Sequence, residues 1–265
     1  MRLGFYNIQG GTGKTTIAAN IGYYLSDKTK TVYVDCDIYA GCGALLFGFE
    51  DSPHTLNSYL SGTSALNDII HQFDDLSVIV ADSTPNSFNT EINQKRMLEL
   101  IRVLNDNYDI VLLDLPPNIT EGNLLFSSLN LEEKVVNKMI VVAEDSIPGI
   151  ANTMKTKELL YAIDIDCIGV IVNKFKDTVD FDEALDDIIA ILPYDKKVET
   201  QWMENVPAVQ MKSKFSKELS YLAEDLAEVY IKKDLAAVRA LKVAKELKDM
   251  TSKKRDEEVE ENEEF

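Results

Sequence analysis

Residues 10 to 16 read Gly-Gly-Thr-Gly-Lys-Thr-Thr. Glycines at Gly10, Gly11 and Gly13 let backbone N–H groups turn toward one centre and approach an anion closely. Lys14 adds a full positive charge. The helical pattern that opens here, with apolar Ile17, Ala18, Ile21 and Leu25, adds the partial charge of a helix N-terminus. Thr12 belongs to the same cradle, and Thr15 and Thr16 bring hydroxyls to the helix start. Thr15 stands where a magnesium ion on β- and γ-phosphates would sit. Two further carboxylates have chemistry to offer. Asp37 closes the run Val34-Asp35-Cys36-Asp37, and Asp114 closes Ile110-Val111-Leu112-Leu113-Asp114. Set beside a phosphate cradle, Asp114 would complete a magnesium shell through water and Asp37 would steer metal-bound or attacking water. Asn173, ending another apolar run, carries both a donor and an acceptor and could pair with a purine edge.

These residues need a scaffold that brings strand ends together. Apolar runs rich in Val and Ile at residues 3–8, 31–35, 76–81, 110–114, 139–143, 167–173 and 188–192 read as doubly buried strands. Helical patterns are expected at 16–27, 66–72, 91–105, 121–129, 149–162 and 181–187, and again from Lys214. The alternation predicts an α/β fold with a mostly parallel, twisted sheet between two helical layers. In such a sheet ligands gather at the carboxyl ends of the strands, where Gly10–Thr16, Asp37, Asp114 and Asn173 all fall.

The chain has 265 residues and a net charge of −18, enough for one large domain and unfavourable for non-specific nucleic-acid binding. Cys36, Cys42 and Cys167 are scattered, an odd count that fits a reducing cytosol, and no apolar run reaches the length of a membrane span. The chain opens directly on its first apolar run, so no targeting segment is expected. Residues 231–255 carry nine Lys/Arg against three Asp/Glu, and 256–265 carry seven acids and no base. A basic helix followed by an acidic, disordered tail is expected there.

The general phosphate-loop pattern G-x-x-x-x-G-K-[ST] fits at Gly13-Lys14-Thr15, but Ile8 stands where its first glycine belongs. Residues 10–16 instead resemble the variant P-loop of the ParA/MinD family of ATPases. That family normally carries a lysine just before the two glycines, and here the position is Gln9. The resemblance extends through about residue 230. Asp35-x-Asp37 is similar to the family's switch I, which gives Asp37 a part in hydrolysis. Asp114-Leu115-Pro116-Pro117 is similar to its switch II, with Asn118 where glycine is common. Pro193-Tyr194-Asp195 resembles its adenine-side loop, and the segment from Val206 to Ala223 its closing pattern. The region after Asn173 lacks the N-K-x-D guanine reader, because residue 176 is Lys, so ATP is favoured over GTP.

The resemblance implies a P-loop NTPase fold with a C-terminal helical extension. Residues 1–230 would form the nucleotide-binding domain, 231–255 a basic amphipathic helix and 256–265 the tail. It implies a cytoplasmic switch that binds ATP and Mg²⁺, hydrolyses ATP slowly, and closes into a homodimer around it to position or recruit a protein partner in division, motility or chromosome organisation. The middle of the chain looks more like the MinD branch, whose members end in a membrane-binding helix. A membrane role for 231–250 is nonetheless the less favoured reading, since aromatic anchors are missing after Tyr230 and anionic lipid would repel the acidic tail. Two alternatives come with Gln9 and the cysteines. Without the lysine's charge the chain could be a nucleotide-binding scaffold with little or no turnover. Metal or cluster delivery would require Cys36 and Cys42 to bind metal.

Overall fold

The computed structural model describes residues 2–90, 93–117, 138–181 and 184–228. The chain divides into two compact units, Met1–Asp225 and Leu226–Phe265, and the second lies almost wholly outside the described residues. So do the expected helix at 121–129, the basic helix and the acidic tail.

Among the described residues, eight strands form one sheet. They are β1 (Arg2–Tyr6), β2 (Thr31–Asp35), β3 (His71–Phe73), β4 (Leu76–Ile79), β5 (Ile110–Asp114), β6 (Lys138–Glu144), β7 (Asp166–Phe175) and β8 (Ile188–Pro193), in the spatial order β3-β4-β2-β5-β1-β6-β7-β8. Every pairing is parallel except β3 with β4. The order places β1 centrally, between β5 and β6, so the loop leaving β1 lies beside the ends of both.

Helices cover the two faces. On one, α1 (Lys14–Ser26) buries Ile17, Ile21 and Leu25. Gly22 makes its close approach possible, because a Cβ there would lie 3.2 Å from Leu112 and 3.5 Å from Leu76. On the other face, Val32, Val34, Val111, Leu113 and Val141 join Met97, Leu100, Ile101 and Leu104 of α4 (Gln94–Asn107) and Leu160 of α5 (Ile147–Ala162). These two faces follow from the period-2 alternation of the strands. Shorter helices α2 (Gly43–Phe47), α3 (Leu56–Leu60) and α6 (Gln201–Glu204) punctuate the loops, and α7 (Lys214–Leu226) follows.

The structure corrects two helical expectations. Residues 66–72 are a single 3-10 turn, Leu66–Ile69, followed by β3. A two-residue turn at Asp74-Asp75, with Asp74 left-handed at φ 50°, folds β3 back on β4, and main-chain pairing overrides the helical spacing of the apolar residues. The described part of 181–187 is a turn in which Ala184 and Leu185 both donate to the Phe181 carbonyl, with Phe181 and Leu185 buried. Spacing by four there marks a turn packed on the core.

Candidate functional site

The loop between β1 and α1 turns on two glycines with left-handed backbones, Gly11 at φ 74° and Gly13 at φ 97°. Gly13 is the N-cap of α1, and its missing side chain leaves the first helical N–H groups without a side-chain cap. A Cβ on Gly13 would lie 2.2 Å from Asn173 Nδ2. Space and backbone thus both demand glycine at this position.

Gly10, Gly11, Gly13, Lys14, Thr15 and Thr16 line one cavity of about 440 Å³ together with Asp37, Asp114, Asn173, Pro193, Tyr194 and Asp195. Thr12 lies beneath, fully buried, its hydroxyl without a hydrogen-bond partner among the described residues. Sheet topology brings these distant positions together, because they sit at the carboxyl ends of β1, β2, β5, β7 and β8.

Lys14 is buried, with Nζ donating to the Gln9 carbonyl at 3.2 Å. Burial lowers its pKa, and Asp114 and Asp37 pull in the opposite direction. Asp114 is buried as well and pushed up to about 6 by desolvation, even though hydrogen bonds from Thr15 and Tyr33 and the charge of Lys14 favour its ionised form. Tyr33 Oη donates to its Oδ2 at 2.9 Å. Asp37 holds the loop that follows it, with Oδ1 accepting from Ala40 N at 3.0 Å.

Asp35 and Asp37 divide their work. Asp35 is fully buried and accepts from the Asp37 and Gly43 amides at 3.0 and 2.8 Å. Burial first, and the Asp114 charge next, raise its pKa well above the usual carboxylate range. The chain leaves β2 after Asp35, so Asp37 lines the cavity while Asp35 organises the loop.

Asn173 is placed differently from a free purine reader. Its Nδ2 donates to the Thr12 carbonyl at 2.8 Å, so one amide hydrogen is committed to the loop. At the far end of the cavity Tyr194 is 42 % exposed, with the Lys176 ammonium 4.2 Å from its ring centre. Cys36 is buried and Cys42 exposed, and no group of three or more His, Cys, Asp or Glu side chains is arranged to hold a metal ion among the described residues.

Sequence reasoning passed over four residues. Tyr33 anchors Asp114. Asp145 is buried, with its carboxylate accepting from the Lys176, Thr178 and Val179 amides at 2.7, 3.0 and 3.2 Å and so fixing the turn after β7. Glu144 and Lys174 pair at 3.3 Å beside the loop. Glu144 and Asp145 follow an apolar strand as Asp35 and Asp114 do, a signal already present in the sequence.

A cradle of positive-φ glycines at an uncapped helix start, one lysine and a threonine bonded to a strand-end aspartate define a P-loop nucleotide site on a parallel α/β sheet. A family model described as an AAA domain matches residues 2–167. An uncharacterized ATP-binding protein of Methanocaldococcus jannaschii is 48% identical over 257 residues, 97% of each chain. Among solved structures, the cell division ATPase MinD of Pyrococcus furiosus superposes with a TM-score of 0.76 at 26% identity, covering 86% of this chain and 98% of that one. The septum site-determining protein MinD of Pyrococcus horikoshii, complexed with Mg-ADP, gives 0.74 at 25%, covering 85% and 95%. The chain belongs to the ParA/MinD family of P-loop ATPases.

No helix among the described residues is long and apolar enough to cross a membrane.

Proposed function

We propose that this chain is a cytoplasmic ATP-dependent switch that binds Mg-ATP in the cavity, hydrolyses it slowly, and closes as an ATP-bound homodimer to position or recruit a protein partner. The convergence of Lys14, Thr15, Asp37 and Asp114 on one cavity at the start of α1 supports this reading most directly. The left-handed backbones of Gly11 and Gly13 and the uncapped start of α1 fit an anion held by the loop's own N–H groups.

Lys14 would hold the β- and γ-phosphates; burial lowers its pKa, against the pull of Asp114 and Asp37, and a bound anion would favour its charged form. Thr15 and Asp114 are the side chains that would hold Mg²⁺, which supplies charge neutralisation on the transferring phosphoryl oxygens. Tyr33 fixes the Asp114 carboxylate by its 2.9 Å hydrogen bond. Asp37, at the cavity wall, is the group to orient the attacking water. Pro193, Tyr194 and Asp195 would flank the adenine, with the acceptor side of Asn173 within the same wall.

Size-exclusion with light scattering in ADP and in a non-hydrolysable ATP analogue tests the cycle. A doubled mass in the analogue alone is expected, and Lys14→Ala should lose both nucleotide binding and the mass change. Unchanged ATP affinity in Lys14→Ala would sink the assignment.

A second reading, a nucleotide-binding scaffold with little turnover, rests on the tethering of Gln9 to Glu144 and Asn152 at 3.1 and 3.2 Å. Robust wild-type ATP turnover, with or without added partner, would count against it. Metal delivery has less support, since Cys36 is buried.

A further inference from the structure

The end of β7 reaches the phosphate loop twice. In an extended strand successive side chains leave on opposite faces. Here Lys174 is left-handed, at φ 55°, and the turn brings Asn173 and Lys174 to the same loop. Asn173 Nδ2 donates to Thr12 O at 2.8 Å and Lys174 Nζ donates to Gly11 O at 2.6 Å. A peptide group is planar and trans, so fixing these two carbonyls toward β7 turns the Thr12 and Gly13 N–H groups away from it. A lysine held left-handed strains the backbone, and the surrounding contacts must offset that cost.

Those contacts centre on Glu144, the register partner of Asn173 across β6 and β7. One Glu144 oxygen takes the Lys174 ammonium at 3.3 Å, and the other takes Gln9 Nε2 at 3.1 Å. Gln9 Oε1 accepts from Asn152 of α5. Glu144 therefore serves one cation and one neutral amide. A lysine at position 9 would set a second ammonium against the same carboxylate and compete with Lys174 for it.

We infer that Lys174 supplies the second positive charge of the nucleotide site, positions the loop through Gly11, and requires an uncharged residue at position 9. Lys174 lines the cavity, and its side chain remains 40% exposed, so the ammonium is available to a nucleoside triphosphate that enters. The inference rests on the reading of the cavity as an ATP site.

Binding of a fluorescent, non-hydrolysable ATP analogue with Mg²⁺ tests it in the full chain, using the wild type, Lys174→Met, Lys174→Arg, Gln9→Lys and Gln9→Lys with Lys174→Met. Lys174→Met should weaken binding roughly tenfold, the loss of one charge-assisted contact at a half-exposed site. Lys174→Arg should stay near the wild type. Gln9→Lys alone should weaken binding, yet in the Lys174→Met background it should strengthen it, because the competing ammonium is gone. That change of sign is something a merely structural role for Lys174 does not produce. Wild-type affinity in Lys174→Met, or two substitutions whose effects simply multiply, overturns the inference and leaves the ATP site standing. A wild-type chain that binds no nucleotide overturns the ATP reading and this inference with it. If Lys174→Met does not fold, Lys174→Arg and Gln9→Lys carry the test. Near-native binding in the first and weakened binding in the second support it, and any other pattern overturns it.

Discussion

Asp35 and Asp114 are register partners at the last residues of β2 and β5, and both carboxyls are buried. Burial raises the pKa of both, and the Asp114 charge on the neighbouring strand raises that of Asp35 further. Without a ligand the site therefore stores unfavourable electrostatics beside Lys14, which a bound cation would relieve. Asp114→Asn removes the buried Asp114 charge. The shift of Asp114 from 3.8 to about 6 corresponds to about 3 kcal/mol of lost stability at neutral pH. The amide gives up one acceptor to Tyr33 or Thr15, which costs about 1–2 kcal/mol. The net effect should raise the unfolding midpoint of the nucleotide-free variant by a few degrees, while Mg²⁺ no longer tightens nucleotide binding. A lowered midpoint in calorimetry would show that the hydrogen bonds outweigh the cost of burying the charge.

Gly13 and Gly10 make a matched pair for testing the cradle. Gly13 has φ 97° and a Cβ would meet Asn173 Nδ2, whereas at Gly10 the nearest atom to a Cβ is Pro117 Cγ at 3.9 Å and no positive φ is required. Gly13→Ala should lose about 1–3 kcal/mol in urea unfolding and lose nucleotide binding with it. Gly10→Ala should leave stability within about 1 kcal/mol of the parent. Equal effects of the two would mean that the left-handed turn does not set the loop.

Asn173 separates two roles by selectivity. A residue that only reads the base changes the preference between ATP and GTP, while one that holds Thr12 changes affinity for both. Because Nδ2 is engaged with the Thr12 carbonyl, Asn173→Ala should weaken ATP and GTP binding in similar proportion. Asn173→Asp should be worse, since a carboxylate oxygen beside that carbonyl repels it. Competition titrations with both nucleotides decide between the roles, and a variant that loses ATP alone would restore Asn173 to base reading.

The parts of the fold that could be read from the chain are those written in apolar runs. All seven expected strands exist, because parallel strands covered on both faces must be apolar along their whole length. β3 escaped because His71 and Gln72 are polar and the strand lies at the sheet edge, where pairing is main-chain chemistry. The five-residue helices α2 and α3 are too short for a period to emerge. At the site, residue type and motif order singled out Lys14, Thr15, Asp37 and Asp114. The contacts of Gln9, Glu144, Asn152 and Lys174 were hidden, since they depend on a left-handed turn in β7 and, for Gln9 with Glu144 and Asn152 and for Lys174 with Gly11, on groups more than 130 positions apart in sequence.

Asp145 offers the clearest dependence on pH. Burial alone would raise its pKa, but the amides of Lys176, Thr178 and Val179 stabilise the carboxylate and hold it below the ordinary value of 3.8. A depressed carboxylate contributes stability that is present above its unfolded pKa and lost as pH falls through the folded one. The contribution should therefore be complete at neutral pH and fade only below about pH 4. Asp145→Asn keeps the shape but replaces one acceptor oxygen by a donor facing N–H groups, at a cost of about 1–3 kcal/mol. Urea unfolding at a series of pH values should show that gap at neutral pH, constant down to the carboxylate range, then closing as the wild-type carboxyl is protonated. A gap that stayed constant through the acid range would mean that the three amides do not depend on the carboxylate's charge. Since this turn leads from Lys174 and Lys176 at the cavity edge, the same variant should also weaken nucleotide binding at neutral pH.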